Sequence, residues 1–147
     1  MANFTGSFED VAVDSKGRIN VPSLIRKSLP SSAPDRITIT RGFDGCLAGY
    51  ALDDWGRKLE ELRQFSPNDP QTRRYVRVIG ANTLPAEIDR QGRIHLPRKW
   101  LEMADIRGRV TIIGAIDRIE FWNPDHYRAY MKDADEEYDQ IAERFRV

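Results

Sequence analysis

The sequence predicts an α+β fold in which two β-β-α-β-β repeats, related by a pseudo-twofold axis, close their strands on one another into a β-barrel flanked by helices. Three observations carry this. VDSKGRINVP, from Val13 to Pro22, returns as IDRQGRIHLP, from Ile88 to Pro97. Asp14, Gly17, Arg18 and Pro22 match Asp89, Gly92, Arg93 and Pro97 at a constant offset of 75 residues. Around both stretches apolar and polar residues alternate with the period of a half-buried strand. One copy, about 45 residues, is marginal for burying its own core, so two copies sharing a core leave fewer free edges.

The elements follow in order. Val11 and Val13, then Ile19 and Val21, alternate on either side of DSKG, which reads as strand, turn, strand. Asp at the first turn position and Gly at the fourth suit a type I turn with a left-handed glycine leading into the return strand, and DRQG repeats the pattern. In the return strands Ile19, Val21, Ile94 and Leu96 point inward, which sends Arg18, Asn20, Arg93 and His95 outward. Pro22 and Pro97 are expected at the first position of short helices. PSLIRKSL then buries Leu24, Ile25 and Leu29, and PRKWLEMA buries Trp100, Leu101 and Ala104. RITIT with CLAGY and RVTIIG with IEFW complete the strands, here at an offset of 73. LDDWGRKLEEL forms a helix with Trp55, Leu59 and Leu62 on one stripe. SPNDP breaks the chain. Asp69 and Pro70 then open a helix carrying Tyr75, Val76 and Ile79 and stopping at Gly80. Asn123 and Pro124 open a last helix, whose stripe of Tyr127, Tyr130, Met131, Ala134, Tyr138, Ile141 and Phe145 is expected to run unbroken to Phe145.

Composition excludes some functions and constrains others. Lys plus Arg equals Asp plus Glu, 23 each in 147 residues. A nucleic-acid role therefore needs the positive charge gathered on one face. The distribution is uneven: six bases and one acid from Lys16 to Arg41, seven and three from Arg90 to Arg118, but eight acids and four bases from Ile119 onward. The single cysteine, Cys46, forbids an intrachain disulfide and reads as packing. With His95 and His126 it makes a poor zinc set. No phosphate-binding glycine loop occurs, so no metal or cofactor is expected. MANFTGSF lacks a secretory pattern, and the longest apolar run, VTIIGAI, is too short for a bilayer. These facts point to a soluble protein of a reducing cytoplasm.

The outward arginines admit two readings. In one, Arg18 and Arg93 only pair with the aspartate four positions earlier. In the other, Asp14 orients Arg18, and Asp89 orients Arg93, toward phosphate or a guanine edge. Asp14 and Asp89 are structural in both, holding the turn. His95 is a surface or contact residue rather than a metal ligand.

DSKGRINVP and DRQGRIHLP both resemble the DxxGR-x-x-[VL]-P signature of SpoVT-AbrB domains. Two copies at this spacing resemble the MraZ family of bacterial transcriptional regulators. GFDGCLAGYALDDW is similar to that family's G-x-D-x-C-L-x-x-Y…W segment, and RRYVRVIGAN to its linker helix. The match spans about Phe8 to Tyr127. The resemblance implies a swapped-hairpin, double-psi-like barrel within one chain. It divides the chain into SpoVT-AbrB repeats at 8–55 and 83–126, linker helices at 56–82 and an acidic amphipathic helix at 127–147. It implies a homo-oligomeric ring on the nucleoid that binds direct repeats in double-stranded DNA and represses its own division and cell-wall gene cluster. The contacts it implies are Arg18, Lys16, Arg93, Asn20 and His95, aimed by the turn residues Asp14, Gly17, Asp89 and Gly92. Gln91 stands where the first copy has Lys16, so the second turn is expected to contribute less. No catalytic residue is assigned. Two rivals remain: a barrel enzyme using Asp14 and Asp89 as a carboxylate pair, and an oligomeric scaffold without DNA. Against the enzyme, each aspartate has an arginine four residues on and no nucleophile beside it.

Overall fold

Each repeat lays down four strands and its helices in the predicted order. In the computed structural model, which describes residues 1–147, the first repeat comprises β1 (Ser7–Ala12), β2 (Arg18–Asn20), α1 (Ser23–Lys27), β3 (Arg36–Arg41), β4 (Leu47–Tyr50) and α2 (Leu52–Arg63). Helix α3 (Pro70–Ala81) joins it to β5 (Thr83–Glu87), β6 (Arg93–His95), α4 (Arg98–Met103), β7 (Arg109–Gly114), β8 (Ile119–Trp122) and α5 (Pro124–Glu136). Helix α6 (Tyr138–Phe145) follows.

Strands pair across the repeats. Six form one antiparallel sheet in the order β1-β7-β8-β4-β3-β5, while β2 and β6 form a separate two-stranded ladder. The first strand of each repeat thus lies on a strand of the other, β1 on β7 and β5 on β3. The expected closed barrel is not formed. β1 and β5 are the two edges of an open sheet, because the short strands that follow them leave to pair with each other. For the same reason the expected hairpins are reduced to turns. β2 meets its own outgoing strand only through the Val13–Ile19 bridge.

One core results. Ile37, Ile39, Leu47, Val110, Ile112, Ile119 and Phe121 from the sheet meet Ile19 and Ile94 from the small ladder and Leu96 just beyond it, with Ile25 of α1 and Trp100 of α4. Each such side chain contributes roughly 1.5–3 kcal/mol by leaving water. Phe4, fully buried beside a bridge to Ile116, joins the cluster from outside the repeat pattern.

Local chemistry sets several element ends differently from expectation. Pro22 and Pro97 are N-caps with extended ψ of 143° and 156°, and helix starts one residue later. A proline carbonyl can accept the first helical bond from that position, as Pro22 does from the Arg26 amide. Asp69 and Asn123 cap α3 and α5 through their side chains, with proline at the first helical position, as read from the sequence. Helix α3 passes through Gly80 to Ala81. Leu24 is exposed, since a one-turn α1 buries only the face carrying Ile25. Tyr75 and Val76 are exposed as well.

The C-terminal stripe is not one helix. Trp122 packs on Tyr127 and Tyr130, at ring separations of 5.4 and 5.3 Å, and ties the start of α5 to the sheet. Helix breaks at Glu137, and Tyr138, Ile141 and Phe145 of α6 remain exposed. No helix is long and apolar enough to cross a membrane.

Candidate nucleic-acid interface

The two turns share one hydrogen-bond pattern. In the first, the Gly17 amide donates to the Asp14 carbonyl (3.0 Å), and the Asp14 amide to the Arg18 carbonyl (3.1 Å). Asp14 Oδ1 accepts the Lys16 and Arg18 amides, both at 2.9 Å, and Oδ2 accepts Arg18 Nε at 2.7 Å. In the second, Asp89 Oδ1 accepts the Gln91 and Arg93 amides at 2.9 Å, and Oδ2 accepts Arg93 Nε at 3.1 Å. Gly17 and Gly92 sit at φ +81° and +80°, the left-handed conformation expected of them.

Each carboxylate is therefore occupied. The Arg18 amide bond is the largest influence on Asp14. Against some desolvation, it joins the Arg18 guanidinium and the Lys16 amide to bring that carboxyl down to about 2. Asp89 is lowered in the same way, with the Arg93 amide foremost. Because only Nε of each arginine is tied down, its two terminal nitrogens stay free to form a fork on phosphate or on a guanine edge.

The β2–β6 ladder gathers these devices. Arg18 pairs with His95, Ile19 with Ile94 and Asn20 with Arg93. Ile19 and Ile94 face the core, so Arg18, Asn20, Arg93 and His95 occupy the opposite face of one short ladder, with Lys16 exposed on the adjoining turn. The pairing also holds the turns. The Leu96 amide donates to the Gly17 carbonyl (2.9 Å), and the Val21 amide to the Gly92 carbonyl (2.8 Å). Each turn is clasped by the strand end of the other repeat.

The family model described as "MraZ protein, putative antitoxin-like" matches this chain twice, over residues 4–78 and 79–146. The chain belongs to the MraZ family. It is 36% identical over 140 residues to the "Transcriptional regulator MraZ" of Pediococcus pentosaceus, covering 95% of this chain and 94% of that protein.

All five expected contact residues of this MraZ-family chain lie at the ladder or its turns. The reading of the second turn as short of a charge needs correction. Gln91 replaces Lys16, but Arg90, exposed, stands where the first copy has Ser15. Each turn thus carries one base at its two middle positions. A position-by-position overlay of DSKG on DRQG finds Arg90; attention to Lys16 alone misses it. Cys46 is buried as packing, and burial pushes its thiol up to about 12. No three His, Cys, Asp or Glu side chains are close enough to share a metal ion.

Proposed function

We propose that this chain is a sequence-specific DNA-binding transcriptional regulator, a repressor of its own division and cell-wall gene cluster, acting on the nucleoid. The observation that carries the reading is the shared face of the β2–β6 ladder. Arg18 and Arg93 are aimed there by Asp14 and Asp89, beside Asn20 and His95. Basic groups on one face reconcile a neutral chain with a polyanionic ligand. The similarity to the Pediococcus transcriptional regulator supports the regulatory class.

The binding unit in this reading is a homo-oligomeric ring on direct repeats. One ladder neutralises few phosphates and binds weakly at physiological salt. Joining several in one assembly raises avidity by about 10²–10⁴. A closed ring needs two different surfaces per subunit, and two apolar surfaces are available. One is α6, with Tyr138, Ile141 and Phe145 exposed; residues 133–143 hold six acids and no base. The other is a groove of about 560 Å³ between α2 and α3, lined by Leu59, Leu62, Phe65 and Val76 and flanked by Arg63 and Arg73. Helix α2 packs on β3 and α5 on β7, toward opposite ends of the sheet, so neither surface covers the other within one chain. The α6 of a second copy matches the groove in polarity and opposes it in charge.

The enzyme reading is weaker. A cleft of about 650 Å³ opens beside Asp14. That carboxylate is held ionised by its own turn and is unsuited to proton transfer near neutral pH. Mobility shift in varied salt, on DNA from just upstream of the protein's own reading frame with unrelated DNA as control, tests the proposal. Salt-sensitive, sequence-preferring binding is expected; its absence refutes the reading.

A further inference from the structure

We propose that Arg26, a first-repeat residue, is a phosphate-contacting residue of the second turn, whose cationic head is thus built from both repeats. The inference rests on the DNA-binding reading and deepens it. The β2–β6 ladder carries the chain past the second turn, where the Val21 amide bonds the Gly92 carbonyl and α1 begins. One turn into α1, Arg26 folds back. Its Nε donates to the Val21 carbonyl at 3.0 Å. Its guanidinium carbon lies only 3.0 Å from where a Cβ on Gly92 would stand, so it rests against a backbone left bare by glycine.

Three features point from this position to an anionic ligand. Arg26 is exposed and forms no ion pair, and its terminal nitrogens donate to no protein atom. The turn against which it rests carries Arg90 and Arg93, Lys27 follows it in the chain, and Asp89, the carboxylate of this turn, is committed to the Arg93 amide and Nε. The first turn lacks the arrangement. There the position matching Arg26 is Leu101, whose Cδ1 lies 3.5 Å from a Cβ built on Gly17. The position matching Lys27 is Glu102, which pairs with Arg98 at 3.0 Å. An unpaired guanidinium beside other cations raises self-repulsion in the free protein, and a phosphate oxygen relieves it with a charge-assisted hydrogen bond.

The Nε bond to Val21 alone would make Arg26 structural, so the test reads charge. Affinity for the upstream DNA is measured from 50 to 200 mM salt for wild type, Arg26→Ala, Arg26→Gln and Arg26→Lys, each checked for an unchanged thermal unfolding midpoint. Losing one phosphate contact should make the affinity drop across that range about 3.5-fold smaller for each engaged turn, in both the Ala and the Gln variants. Arg26→Lys, which keeps the charge but lacks Nε, should retain the wild-type salt dependence. A folded Arg26→Ala or Arg26→Gln protein with wild-type salt dependence overturns the proposal, and so does an Arg26→Lys protein that behaves like Ala. Wild type that binds no DNA fails the underlying reading instead, and this inference with it.

Discussion

At the scale of single residues, Arg18 and Arg93 do little for the fold and much for the ladder's outer face. Arg18→Ala removes a partly exposed ion pair, so its unfolding free energy should stay within about 0.5 kcal/mol of wild type in urea. DNA affinity should fall sharply in the same preparation. With Arg90 standing opposite the loss at Gln91, Arg93→Ala should cost a comparable amount of affinity; wild-type binding by either folded variant would remove that arginine from the interface. The glycines behave differently from each other. Both substitutions to Ala meet a left-handed backbone, a cost of roughly 1 kcal/mol or more. At Gly17 the new Cβ also runs into the Leu96 carbonyl at 2.3 Å, whereas at Gly92 it meets the far end of Arg26. Denaturant melts should therefore rank Gly17→Ala as the less stable protein. Asp14 supplies a pH signature. Its folded pKa of about 2 is depressed, so its stabilisation is fully present above the ordinary carboxylate value near 4 and is lost as pH falls through about 2. NMR titration of the Asp14 carboxyl should give that low midpoint, and a midpoint near 4 would mean the turn is not formed in solution.

Among the elements, the helical stripe at the C-terminus was legible as amphipathic but not as two pieces. Asp133, Asp135 and Glu136 crowd the last turn of α5, which contains no base, and there they oppose the helix dipole. The same run of acids favours the start of a new helix, and α6 begins at Tyr138. Period alone carries no trace of this, because the apolar residues keep their spacing across the break. Freed from the sheet, α6 should matter for assembly rather than folding. Ile141→Asp should leave the thermal midpoint unchanged and lower the mass seen by light scattering, and a mass equal to wild type would exclude α6 from the subunit contact. The turns were read more fully than any other element. A type I turn needs only four residues of local chemistry, all of them visible in DSKG and DRQG. What could not be read locally was Arg26, which reaches the second turn from 66 positions earlier in the chain than Gly92.

For the whole molecule, the α+β class and the twofold repeat followed from two matched decapeptides and the strand alternation around them. Strand partners did not follow. Nothing in the short sequences of β1 and β5 favours a partner within the repeat over one across it, and only the assembled core decides between them. The open sheet escaped detection for the same reason. The assembled particle makes its own prediction. Affinity should climb steeply as direct repeats are added to a probe, and equal affinity for one repeat and several would rule out a multi-subunit reader. The reciprocal clasp at Leu96–Gly17 and Val21–Gly92 has a bearing on inheritance. A single copy of this motif could hold its turn only by borrowing a strand from a twin, and the two turns would then be identical by symmetry. Fusion into one polypeptide lifts that obligation. Each turn can change its bases independently, Ser15-Lys16 against Arg90-Gln91, and each can recruit a different neighbour, Leu101 or Arg26. On the proposed DNA-binding function, a fused pair is thereby free to read two unlike half-sites where a dimer of single copies must read a palindrome.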